Sequence, residues 1–172
     1  MQNFFSYPIV VDELGQNEQK YNLRAGAEDL RYLTEVFNVP SVESFSADIR
    51  LKLNNREHLL TVWGKVRAEM VLQSVVTLEN FAKVYEPEFE IKFDTRMTYN
   101  QYRELEADIE DDIPDIIENG RIDLGQIAIE QVALVMEDYP RQEGEVFQFV
   151  SEFDEETTEK ANPFSILAKL KK

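Results

Sequence analysis

Ala47, Ile49, Leu51 and Leu53 alternate with Asp48, Arg50 and Lys52. A period of two sends successive side chains to opposite faces, so this segment predicts a strand with one buried face. Asn54-Asn55 follows, and asparagine tolerates the positive φ that a tight turn needs. The chain then returns with Leu60, Val62, Val66, Ala68 and Met70 in one parity. Together the two segments predict a long β-hairpin. Its apolar face has to be covered, and that requirement constrains every other element.

The flanking segments supply candidates for the cover. Phe4–Val11 and Tyr21–Ala25 read as short strands, separated by the polar turn region that begins at Glu13. Glu28 to Asn38 carries Leu30, Leu33 and Phe37 at helical spacing with Val36 beside them, which predicts an amphipathic helix ending before Pro40. Leu72–Leu78 and Phe89–Phe93 read as further antiparallel strands. Glu104 to Glu118 holds eight acids and no basic residue, the composition of a solvated loop. Asp123 is placed to cap a helix, with Gln126 at the third helical position and Ile122 able to pack on Ile127. That helix is expected to run to about Asp138, stopping before Pro140. It leaves only Gln126, Glu130 and Glu137 as a polar stripe and should lie buried across the sheet. Val146–Val150 is a candidate last strand.

The expected fold is therefore α+β: an antiparallel twisted sheet or partial β-barrel with a long buried C-terminal helix and a short helix near residue 30. Residues 1–150 are read as one domain. Residues 151–172 are read as an acidic linker and a short C-terminal helix, begun by Asn162 and Pro163 and ended by lysines. In that last helix Pro163, Ile166, Leu167 and Leu170 line one side. A helix so short is marginal alone in water, so Asn162, Pro163, Phe164, Ile166, Leu167 and Leu170 form a candidate docking tail that either packs back on its own domain or waits for a groove on a partner.

Charge narrows the functions. The chain of 172 residues has 18 Lys and Arg against 34 Asp and Glu, a net charge of −16. Residues 1–98 carry 11 basic and 15 acidic residues, while 99–172 carry 7 and 19. So negative a body repels a phosphate backbone and steers basic partners toward itself. There is no cysteine, which excludes disulfides and thiolate metal sites. The first residues carry neither a charged n-region nor a long apolar run, and a cytoplasmic protein without membrane association is expected.

Little in the chain points to catalysis or to a cofactor. His58 is the only histidine and sits beside the Asn54-Asn55 turn, away from any nucleophile motif. Gly64, Gly120 and Gly125 are scattered rather than gathered into a phosphate loop. The acidic run Asp108–Asp112 lacks the glycine of a calcium loop, with Ile113 in its place. Neither an enzyme nor a metal or other cofactor is expected. One constellation does suggest binding: Arg50, Lys52, Trp63, Lys65 and Arg67 share the outward face of the hairpin. A basic and aromatic patch can stack bases and pair with phosphates. The alternative is that Asp48 and Glu69 neutralise these cations while Trp63 tucks under a neighbour.

From about Ala27 onward the order of motifs resembles the YceD family, the large ribosomal RNA subunit accumulation proteins. The resemblance rests on Asn38-Val-Pro-Ser-Val42, Trp63-Gly64 and the segment Val71–Glu79. It continues with Gly120-Arg-Ile-Asp-Leu124, Glu130-Gln-Val-Ala-Leu134, Tyr139-Pro-Arg141, Asn162-Pro-Phe164 and Leu167-Ala-Lys-Leu170. Many members carry a Cys-x-x-Cys pair where this chain reads Ser74-Val-Val-Thr77, so no role of such a pair transfers. The resemblance implies a non-catalytic part in accumulation or processing of large-subunit (23S) ribosomal RNA. The expected partner is a basic ribosomal protein or an RNA-processing protein, with ribosomal RNA contacted indirectly. Direct RNA binding through the hairpin patch is the rival reading, and the oligomeric state is left open.

Overall fold

The computed structural model describes residues 5–104 and 113–145. The chain divides into two compact units, Met1–Gln142 and Glu143–Lys172. The architecture below is that of the first.

The hairpin dominates. Strands β1 (Pro8–Val10) and β2 (Gln19–Arg24) precede helix α1 (Ala27–Phe37), and then come β3 (Ser41–Asn54) and β4 (Leu59–Gln73). β3 and β4, of 14 and 15 residues, pair antiparallel from Ser41 opposite Val71 to Asn54 opposite Leu59, with a bulge between Val42 and Ser44. Alternation sorts their side chains as expected: Leu60, Val62, Val66 and Ala68 are wholly buried, and Met70 nearly so. β5 (Asn80–Tyr85) and β6 (Glu88–Asp94) follow one another along the other edge of β4. At the junction between them the Val66 N–H donates to the Pro87 carbonyl at 3.0 Å. After helix α2 (Tyr99–Glu104) come β7 (Asp115–Ile116), β8 (Arg121–Asp123) and helix α3 (Leu124–Val135). The large sheet has the order β2-β3-β4-β6-β7 with β5 beside β4, and β1 and β8 form a separate pair.

Both larger helices contribute to one core with the inner face of the sheet. α1 places Leu33 there, and α3 contributes Leu124, Ile127, Ala128, Ile129 and Val132. α1 ends at Asn38, which takes a left-handed φ of 51° and closes the last turn with its N–H on the Glu35 carbonyl. The Thr34 hydroxyl donates to the Leu30 carbonyl and accepts the Val42 N–H at 3.0 Å, tying the helix to the start of β3.

The start of α3 is a joint between distant segments. Asp123 Oδ1 accepts the N–H groups of Gly125 (2.9 Å) and Gln126 (3.1 Å), which is the cap expected from sequence. It also accepts the Tyr7 N–H at 2.9 Å, and Oδ2 accepts the Ser6 hydroxyl. Gly125 is required here. A Cβ on it would press into the Phe5 carbonyl, standing only 3.0 Å from the carbonyl carbon. Phe5 in turn is fully buried edge-on against Phe45, with ring centroids 5.2 Å apart. Gln126 does not reach back to the cap; its amide donates to Glu130 instead.

Several expectations are corrected. The long buried C-terminal helix is absent: α3 has 12 residues, and Met136 leaves it in extended backbone at φ −71°, ψ 140°. Leu134 and Val135 on its last turn are 76% and 45% exposed. Its sequence is apolar nearly all round, but the sheet meets only one side of it. The large sheet is open, but it is not wholly antiparallel, because β7 runs parallel to β6. The described residues of the segment Phe4–Val11 give only the short β1 and then a 3-10 turn at Val11–Glu13. Leu72–Leu78 is not a strand beyond Gln73. Ser74 starts a turn in which its Oγ accepts the N–H groups of Val76 and Thr77, and Leu78, at φ 62°, sends the chain back into β5. Within the acidic stretch Glu104 closes α2 and Asp115–Ile116 pairs with β6. The candidate strand Val146–Val150 and the run Asp108–Asp112 lie outside the described residues.

Candidate partner-binding surfaces

The outer face of the sheet brings the five hairpin residues together. Register sets Arg50 beside Trp63, which faces Glu90 on β6. One row along, Asp48 stands beside Lys65, which faces Glu88; on the other side Lys52 stands beside Thr61, which faces Lys92. Trp63 is half-buried and lines a shallow depression with Lys52, Leu59, Thr61 and Lys92.

Carboxylates hold most of these cations. The Arg67 guanidinium donates to Glu86 at 2.7 Å and to Glu69. Lys65 stands 4.0 Å from the same Glu86 carboxylate, and Arg50 lies 3.7 Å from Glu18. Hydrogen bonds from Arg67 hold the Glu69 and Glu86 carboxyls below their ordinary range, and those to Glu69 and then Glu86 raise the guanidinium. Exposed pairs of this kind add little stability. Their effect is on sign, because acids interleave with bases and no continuous positive surface results. Asp48 accepts from the Asn22 amide rather than pairing with a cation. Among the described residues Lys52 has no ion-pair partner. His58, half-buried at φ 55°, closes the hairpin loop, and its carbonyl accepts the Thr95 N–H at 2.8 Å.

A second surface was not anticipated. The C-terminal ends of α1 and α3 converge with the far end of β4 around a groove of about 570 Å³. Asn38, Val39 and Pro40 after α1, Leu72 and Gln73 at the end of β4, and Met136 and Pro140 after α3 line it. Three separate motifs of the sequence thus meet in one place. The Ser74 turn is anchored beside it, with the Val75 N–H donating to the Pro140 carbonyl at 2.9 Å. Ser74 itself is fully buried, and its hydroxyl serves the turn amides. Glu137, next to Met136, accepts from Lys83 and from the Tyr85 hydroxyl at 2.7 Å. Those two bonds hold its carboxyl below the ordinary range, while burial pushes the Tyr85 phenol up and keeps it neutral. The walls of the groove come from three separate segments, so no single stretch of the sequence signals it.

Among the described residues no group of three or more His, Asp or Glu is placed to hold a metal ion. Nor is any helix among them long and apolar enough to cross a membrane. The tail residues Asn162, Pro163, Phe164, Ile166, Leu167 and Leu170 lie outside the described residues.

These features define a sheet-based α+β domain with two exposed surfaces, one of mixed charge and one a groove between helix ends. Comparison with known families gives the lineage: residues 62–171 match the family described as large ribosomal RNA subunit accumulation protein YceD. The match covers more than half of the chain, and the chain belongs to the YceD family. It begins at Val62, so the resemblance noted for residues 27–61 stands on their motifs alone. No curated protein and no solved structure matches.

Proposed function

We propose that this chain supports accumulation of large-subunit (23S) ribosomal RNA as a non-enzymatic cytoplasmic factor that acts through a basic protein partner. That partner would be a ribosomal protein or an RNA-processing protein, and contact with RNA would be indirect. The family's description supplies the process. The observation that favours a protein intermediary is the outer face itself, where Arg50, Lys65 and Arg67 are each engaged by carboxylates. Phosphates would have to displace those acids in a chain of net charge −16. The same charge speeds encounter with a basic protein.

The test is recovery of the tagged full chain from growing cells with and without ribonuclease. Co-purifying proteins are expected to survive the digestion; if all are lost, the intermediary is RNA and the reading is wrong. A second measurement addresses the rival. Purified protein is expected to show no RNA binding at physiological salt. Binding that weakens steeply with salt, and that the combined change Trp63→Ala, Lys65→Glu and Arg67→Glu abolishes without loss of fold, would establish the hairpin face as an RNA surface instead.

A further inference from the structure

We propose that the groove between the ends of α1, α3 and β4 is the docking site for an apolar segment of a partner protein that carries lysine or arginine at its flanks. This rests on the protein-mediated reading above and names the surface and the chemistry it selects.

The shape argument comes first. Val36 is 42% exposed at the rim, and Phe37, Val39, Pro40 and Met136 contribute apolar side chains to a lining they share with the polar Asn38 and Gln73. On the bordering elements Leu134, Val135 and Leu78 are also exposed. Leu78 is held outward at positive φ, a conformation a leucine adopts only when its surroundings impose it. Exposed apolar residues gathered around a concavity mark contact sites more often than solvent-facing surface.

The charge argument selects the occupant. Two helix C-termini meet at the groove, and the macrodipole of each places roughly half a negative charge there, with the Asn38, Val39 and Met136 N–H groups bonding some of the last-turn carbonyls. Neither α1 nor α3 has a basic residue in its last turn to offset this. The residues lining the groove include Glu137 and Asp138 and no lysine or arginine. Glu137 is already engaged by Lys83, so Asp138 and the two helix ends supply the open negative field. An acidic segment would be repelled by that field. An apolar segment flanked by cations satisfies both lining and field, in the manner of an amphipathic helix laid in a groove.

The probe is a fluorescent synthetic peptide of leucine and lysine arranged with helical period, titrated against the full chain by anisotropy. Its scrambled form, of the same composition, controls for attraction to a net charge of −16. Val36→Arg and, independently, Ala133→Arg fill the mouth with a cation at exposed positions, and Gln16→Arg adds the same charge elsewhere. The patterned peptide is expected to bind the native chain and Gln16→Arg alike, and both groove variants about tenfold more weakly. Equal binding of patterned and scrambled peptides, or equal binding by groove variants and Gln16→Arg, overturns the proposal. A native dimer that Val36→Arg dissociates would make the occupant a second copy of the chain, and also overturns it. If Val36→Arg keeps its ribonuclease-resistant partners in cells, the groove is wrong while protein mediation stands. If ribonuclease strips every partner from the native chain, both fall.

Discussion

Gly64→Ala is expected to destabilise the protein by about 3 kcal/mol, in the upper range for forcing extra volume into a packed core. For a chain of this size that corresponds to a melting temperature lower by roughly 6–12 °C. Gly64 lies mid-strand in β4, on the inner face, paired with Ile49 on one side and Phe89 on the other. A Cβ there would press into the Asp48 carbonyl oxygen and stand 3.0 Å from the Ile49 Cα and 3.2 Å from the Asp48 carbonyl carbon. All three atoms are backbone, so no rotamer change can relieve the contact. β3 and β4 would have to separate at the centre of the longest pairing in the molecule. Gly15→Ala is the control, because nothing lies within 4 Å of a Cβ at that position. Urea and thermal unfolding of the two variants decide the matter. Equal stability would mean that the strands do not approach as described.

Asp123→Ala is expected to cost roughly 2–4 kcal/mol, more than an ordinary cap, because the carboxylate serves two segments at once. Alanine leaves the Gly125 and Gln126 amides at the start of α3 without their acceptor, and removes the acceptor of the Tyr7 N–H as well. Asp123→Asn keeps one oxygen and should recover part of the loss. The Ser6→Ala partner change isolates the Oδ2 contact, since the Ser6 hydroxyl donates to that oxygen. A double-mutant cycle should show coupling between positions 6 and 123. If Asp123→Ala costs less than about 0.5 kcal/mol, the size of an ordinary surface change, the joint between β1 and α3 is not held as proposed.

Where side-chain pattern alone decides structure, the sequence was sufficient. Alternation through Ala47–Leu53 and Leu60–Met70 specified the hairpin and its buried face, because a one-residue slip would expose the whole apolar set. Helical spacing located α1 to within a residue at each end, and Asp123 announced the cap of α3, since both are short-range effects. The same alternation placed Arg50, Lys52, Trp63, Lys65 and Arg67 on one face with Glu69, which binds Arg67 as read, but it did not reveal the other neutralising carboxylates. Glu18 and Glu86 come from other segments, and only strand register and chain path bring them within reach. α3 reads as buried because it is apolar on most sides, yet burial depends on what stands opposite, and nothing in its own residues states that the sheet covers only one side. Ser74 could not be told from a strand residue until the Glu79 carbonyl accepted its N–H at 2.9 Å and closed the turn. The groove is of the same kind: its walls come from α1, β4 and α3, and long-range packing alone brings those walls together.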